Sequence, residues 1–217
     1  AEGHLLLGNS PESLRRVRDP FELMRALQRG GFAGPAVRLP GTTVEPRSTS
    51  GTTRWLWKPR RGGGGTHVRW ADETDAANVD AHGAGILQEY IDGPICSFAF
   101  LAAGQDGRVI GLSEQLIGLP EFGARGFRWC GNLTPPRLPA HDLDAMWHEA
   151  ERLAAYLSMT FDLCGMNGVD FVWRDGRMWV LEVNPRPSAS LELFDGQFDA
   201  PLFDLHVRAC LGQPLPS

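Results

Sequence analysis

Asp170, Glu182 and Asn184 are the side chains with the clearest chemistry in this sequence. They lie in the stretch Gly168-Val-Asp-Phe-Val-Trp-Arg-Asp-Gly-Arg-Met-Trp-Val-Leu-Glu-Val-Asn184, which reads as two strands around a turn signal. Alternation puts Val169, Phe171 and Trp173 on one face of the first strand, and Trp179, Leu181 and Val183 on one face of the second. The opposite face carries Asp170, Glu182 and Asn184. Oxygen donors of this kind suit a hard cation such as Mg2+, with Mn2+ as an alternative, and Mg2+ keeps waters and phosphates in its shell. Register decides whether the donors meet. A two-residue Asp175-Gly176 turn sets Asp170 opposite Leu181 and sends Glu182 to the wrong face, whereas a three-residue Arg174-Asp175-Gly176 loop makes Asp170 and Glu182 diagonal neighbours. The apolar pattern favours the three-residue loop. The alternative is a solvated pair on an open sheet face, although two close carboxylates without a cation repel.

Two further groups attract attention. Pro185 and Pro187 stiffen the backbone around Arg186, so a planar guanidinium projects beside the proposed cation, where it suits a phosphoryl group or a substrate carboxylate; a surface ion pair is the plainer account. Lys58 is the lone lysine among 21 basic Lys and Arg residues, at a strand end before Gly62, Gly63, Gly64 and Gly65. Glycines let a loop fold closely over phosphates, and a compact ammonium suits the same ligand, but a flexible linker and a solvated lysine also account for the stretch. It is not a Walker A loop, in which lysine follows the glycines. Gln88, Glu89, Tyr90 and Ile91 form a strand end that could offer a backbone edge to a purine. No His-Glu-x-x-His, Gly-x-Ser-x-Gly or strand-borne Gly-x-Gly-x-x-Gly occurs.

The elements that must position these groups are α+β in class. Asp19-Pro20 starts a helix to Gln28 with Phe21, Met24 and Leu27 on one stripe. Strands are expected at 54–58, 86–91, 97–102 and 109–110, and a weak helix at 72–79. The span from Gly118 to Pro139 reads as a long functional loop. Asp142 to Leu157 is the clearest helix, with Leu143, Met146, Trp147, Ala150, Leu153, Ala154 and Leu157 at helical spacing. A last helix runs from about Asp199 to Leu211.

At 217 residues, 42% apolar, the chain can bury a core, and its net charge of -5 argues against nucleic-acid and membrane-surface partners. Four scattered cysteines form no C-x-x-C pair. No apolar run approaches the ~20 residues of a spanning helix, so the expectation is a soluble, cytoplasmic protein.

Taken in order, Lys58 with its glycine loop, Gln88-Glu89-Tyr90-Ile91, Asp170 and Glu182-Val-Asn-Pro-Arg186 resemble the ATP-grasp superfamily over about residues 18 to 195. The resemblance implies an ATP-grasp fold with a small lid subdomain over 35–89 and a larger antiparallel-sheet and helix lobe over 90–217. Residues 1–34 then form a remnant of an amino-terminal lobe that is mostly missing, plus a linker helix. It further implies an ATP- and Mg2+-dependent ligase joining a carboxylate to an amine through an acyl-phosphate. Lys58 would hold the α- and β-phosphates, residues 62–65 would cover them, and Gln88 to Ile91 would meet adenine. Asp170, Glu182 and Asn184 would ligate Mg2+, with Arg186 near the γ-phosphate and acyl group.

Asn184-Pro-Arg-Pro-Ser-Ala-Ser190 looks like the branch of coenzyme-biosynthesis ligases that includes tyramine-glutamate ligase, which points to an amino acid such as glutamate as the acid. Arg128, Asn132, Ser188 and Ser190 are the substrate-binding candidates. Arg18 stands where many members carry a first nucleotide-binding lysine, and Cys96 roughly where several carry a carboxylate for the ribose. Small-molecule acid and amine substrates are the expected partners, and a homodimer is compatible. The rivals are a non-catalytic nucleotide-binding module, and kinase or carboxylase chemistry on the same lobe.

Overall fold

Asp19 caps its helix as the Asp-Pro signal requires, its carboxylate accepting from the N–H groups of Phe21 and Glu22 at 2.9 Å each. The computed structural model describes residues 4–41, 53–72, 75 and 85–215. A short helix the sequence reading missed, α1 (Pro11–Val17), precedes α2 (Pro20–Gly30), which ends at left-handed Gly31. The buried stripe of α2 is Leu23, Ala26 and Leu27, with Phe21 and Met24 only half-buried. The apolar face is therefore rotated by one position from the expected stripe.

The chain separates into two compact units, one of residues 1–34, 93–114 and 132–217, the other of 35–92 and 115–131. Residues 115–131, distant in sequence from 35–92, group with the smaller unit. In that unit β1 (Val37–Arg38), β2 (Trp55–Pro59), β3 (Arg69–Trp70) and β4 (Gly85–Glu89) form an antiparallel sheet in the order β1-β4-β2-β3. Guanidiniums lie over its aromatic rings: Arg38 sits 4.3 Å above Trp55, and Arg54 3.8 Å above Trp70. Such contacts contribute about 0.5–1 kcal/mol each at exposed sites. The helix expected at 72–79 falls largely outside the described residues.

The other sheet has the order β7-β6-β5-β8-β9, from β5 (Ile95–Ala103), β6 (Asp106–Ile117), β7 (Trp129–Leu133), β8 (Gly165–Arg174) and β9 (Arg177–Asn184). β6 is far longer than the two residues expected, and β7 occupies part of the supposed 118–139 loop. One face packs against α1, α2 and α3 (Ala140–Phe161) through Phe98, Phe100, Phe171, Leu153 and Phe161. The other packs at one end against a 3-10 turn (Ala189–Phe194) and α4 (Leu202–Cys210) through Leu101, Phe194 and Leu205. Leu153 is fully buried in the larger core. Leu153→Ala should therefore cost about 2–5 kcal/mol, read as a lower urea midpoint with unchanged slope. Among the described residues no helix is long and apolar enough to cross a membrane.

The β8–β9 register differs from the expected one. Arg174 pairs with Arg177 across a two-residue turn whose Asp175 and Gly176 both have positive φ, 53° and 69°. That is the twist-matched hairpin turn. An irregularity between Asp170 and Phe171 then lets Phe171 pair with Val180 and Asp170 with Glu182. Leu181 is thus the extra residue of a bulge. The bulge restores the phase that a two-residue turn alone would have lost. In consequence Met178 and Val180 join Val183 in the core, while Trp179 and Leu181, expected there, are half-buried elsewhere.

Candidate nucleotide and cation site

Asp170 and Glu182 face each other directly rather than diagonally, and Gly168 faces Asn184 two pairs further on, which returns Asn184 to the same face. Cβ atoms of directly paired residues lie about 4.5–5.5 Å apart, and like charges so placed destabilise a sheet. A cation between them removes that cost. The Asn184 Nδ2 donates to Asp170 Oδ2 at 3.0 Å, so the amide oxygen is the atom Asn184 can turn to a metal. Among the described residues no cluster of three or more His, Cys, Asp or Glu side chains is placed to hold a metal. The donor set is therefore two carboxylates and an amide, all oxygen, which fits Mg2+ completing its shell with water and phosphate.

Side chains invisible to the sequence reading hold this corner. Buried Asn9 donates through Nδ2 to Asn167 Oδ1 at 2.8 Å and to the Pro185 carbonyl at 3.1 Å. Its Oδ1 accepts from the Cys164 N–H at 2.8 Å. One amide thus ties the segment before α1 to the start of β8 and to the peptide that follows Asn184. A lone Asn in Gly8-Asn9-Ser10 carries no pattern that announces such a role. Arg186 is exposed, its Nη1 donating to the Pro187 carbonyl at 3.0 Å. The Ser188 and Ser190 hydroxyl oxygens lie 2.8 Å apart.

In the smaller unit the Lys58 Nζ donates to Gln88 Oε1 at 3.1 Å across the β2–β4 pairing, so the ammonium is held near the purine-edge candidates. Gln88 is buried, as is Ile91. Glu89 does structural work: its Oε2 accepts from the Ala36 N–H at 3.0 Å and pins β1. The Tyr90 ring meets Trp70 edge-on at 4.8 Å. Burial, and then the bond to Asp92, push the Tyr90 phenol above its ordinary pKa.

The glycine loop is anchored rather than free. The Gly64 carbonyl accepts from the Trp129 N–H at 3.0 Å, and Gly65, at φ 68°, lies so close to the Phe127 carbonyl that no Cβ fits. Gly62, Gly63 and Gly64 remain exposed. Gly65→Ala should cost about 1–2 kcal/mol from the left-handed backbone alone, with more from displacing Phe127. We expect a lower melting temperature together with weaker ATP binding by calorimetry. Full retention of both would show that the loop relaxes freely.

The remaining candidates divide between the two units. Arg18 is exposed at the carboxyl end of α1, in the larger unit. Arg128 is exposed in the smaller unit, whereas Asn132 belongs to the larger one and donates to Ser113 and Ser97. Cys96 does not reach the carboxylate face. It is fully buried in the main core, where burial, reinforced by Glu114, pushes its thiol up to about 12.

The ATP-grasp domain family matches residues 17–190. The carbamoyl phosphate synthase large chain of Deinococcus radiodurans is 24% identical over 226 residues, which cover 98% of this chain and 21% of that protein. An ATP-grasp superfamily protein from Archaeoglobus fulgidus superposes with a TM-score of 0.64 at 23% identity, over 96% of this chain and 57% of that one. The N5-carboxyaminoimidazole ribonucleotide synthetase of Thermus thermophilus does so with a TM-score of 0.69 at 20% identity, over 96% and 56%. The chain thus spans about a fifth of that curated relative and little more than half of either structure. The family match extends from the end of α1 past the carboxylate hairpin to Ser190, and on that ground the chain belongs to the ATP-grasp family.

Proposed function

We propose that this chain is the nucleotide-handling part of an ATP- and Mg2+-dependent ligase that joins a carboxylate, an amino acid such as glutamate being our choice, to an amine. The observation that carries the reading is the Asp170–Glu182 pair, set face to face with Asn184 tethered beside it. When bound, Mg2+ would neutralise phosphate charge on this face. Lys58 acts as a compact point charge on the α- and β-phosphates, under the anchored 62–65 loop, while Gln88 to Ile91 receive adenine. Arg186, on its proline-stiffened segment, holds the γ-phosphate and the acyl oxygen.

The substrate carboxylate oxygen attacks the γ-phosphorus and ADP leaves. The amine nitrogen then attacks the acyl carbon, its proton passes to solvent, and phosphate leaves. Such chemistry needs alignment and charge stabilisation rather than a protein nucleophile. Ser188 and Ser190 are proposed to bind the acid and Arg128 to aid selection. All four cysteines are free thiols, which suits the reducing cytoplasm we assign.

ADP release from ATP and Mg2+ with pooled amino acids and amines tests the reading, with bicarbonate and formate added. The last two are included because the relatives include a carbamoyl phosphate synthase and a formate-dependent formyltransferase. Turnover with bicarbonate or formate alone would move the assignment to a carboxylase-like or formyl-transferring member. ATP bound without turnover by any acid would leave a nucleotide-binding module.

A further inference from the structure

On the face that carries Asp170, a row of polar side chains crosses the sheet. The pairing sets Ser113 against Ser97, Ser97 against Asp170, and Asp170 against Glu182. Directly paired residues project to one face, so β6, β5, β8 and β9 contribute Ser113, Ser97, Asp170 and Glu182 in a single line. Further along the same face β5 turns apolar, with Ala99 and Leu101 packed among Phe194, Leu202 and Leu205. The two serines are nonetheless buried, at 6% and 0% exposure. Polar groups so placed must be satisfied by the protein itself.

They are satisfied by Asn132 and by each other. Asn132 Nδ2 donates to Ser113 Oγ at 2.8 Å and to Ser97 Oγ at 3.3 Å, and the two hydroxyl oxygens lie 2.9 Å apart. Each hydroxyl carries one proton and two acceptor positions. Either hydroxyl can donate to the other; in the arrangement in which Ser113 donates to Ser97, both acceptor positions of Ser97 are filled and its own proton is left to turn onward. The next residue in the line is Asp170. Asn184 already holds that carboxylate by Oδ2, and a second donor turned toward it from Ser97, its direct cross-strand neighbour, would stop it rotating about its bond.

We propose that Asn132, Ser113 and Ser97 form a donor relay in which Ser97 is a positioning residue, fixing which carboxylate oxygen of Asp170 faces the cation. This rests on the reading of Asp170 and Glu182 as the cation site. It also gives Asn132 a role distinct from substrate contact. Partners behind metal ligands commonly account for 10–100-fold in metal affinity, and a fixed ligand orientation is how they do so.

The test is Mn2+ binding to the 217-residue chain with ATP present, followed by electron paramagnetic resonance, on Ser97→Ala, Asn132→Ala and Asp170→Asn. Metal-free ATP affinity and melting temperature are measured in parallel. We expect about tenfold weaker Mn2+ binding for Ser97→Ala and Asn132→Ala, with metal-free ATP affinity within about twofold, and near-complete loss for Asp170→Asn. Half-buried Asn132 supplies the answer if Ser97→Ala does not fold. Unchanged Mn2+ affinity in the relay variants, with loss in Asp170→Asn, overturns the relay and leaves the cation site standing. Loss of metal-free ATP affinity in step with Mn2+ affinity assigns the serines a structural role and also overturns it. Full Mn2+ binding by Asp170→Asn removes the cation site itself, and the relay with it.

Discussion

Glu182→Gln should lower turnover about a thousandfold while the protein stays folded. Metal stabilisation of transition-state charge is worth several kcal/mol, and each 1.36 kcal/mol is tenfold in rate. Glutamine has the shape of glutamate but no charge, so it offers the cation one neutral oxygen where a carboxylate stood. The effect on stability has the opposite sign. Glu182 faces Asp170 directly, and like charges so paired are destabilising, so removing one of them relieves part of that cost when no metal is bound. The metal-free variant should therefore melt at or slightly above the parent temperature, and lose the extra stabilisation that Mg2+ with ATP confers on the parent. Undiminished ADP release by this variant would take Glu182 out of the cation site, whatever the fold.

The second large effect is expected at Lys58. Its ammonium is held by Gln88, and Gln88 is buried. A charge-assisted hydrogen bond contributes roughly 1.5–3 kcal/mol, so Lys58→Ala should weaken ATP binding by about 10–100-fold. Lys58→Arg separates charge from shape. The planar fork keeps the charge but cannot sit as a point between two phosphates, and we expect about a tenfold loss by calorimetry. Equal ATP affinity in all three proteins would mean that Lys58 merely braces Gln88. A loss in Lys58→Ala fully repaired by Lys58→Arg would mean that charge alone matters.

The carboxylate hairpin shows how reading and structure diverge. The sequence reading rejects a two-residue turn because it inverts Glu182, and the rejection is sound for a regular ladder. The protein nevertheless adopts that turn, since Asp175 and Gly176 both take the left-handed angles it demands, and repairs the phase with a bulge at Leu181. Turn and bulge each shift the register by one, and their sum is what the alternating pattern records. Asp170 and Glu182 therefore share a face through a two-residue turn plus a bulge, not through a three-residue loop. The stripe on α2 slipped by one position for a related reason: its apolar residues allow several faces, and the neighbouring elements choose among them.

Local chemistry alone determined a good deal. A capping Asp before Pro starts α2, the apolar spacing of 142–157 makes a helix with one buried face from which only Trp147 is exposed, and alternation sets Asp170, Glu182 and Asn184 against a core of Val169, Phe171 and Trp173. Only the tertiary structure decided that Cys96 faces the core, that Asn9 clamps the peptide after Asn184, and that Ser97 and Ser113 stand in line with Asp170. Those are pairings between residues far apart in the chain. Their energy comes from burial and from satisfying polar groups across strands, terms that appear only once the strands have met.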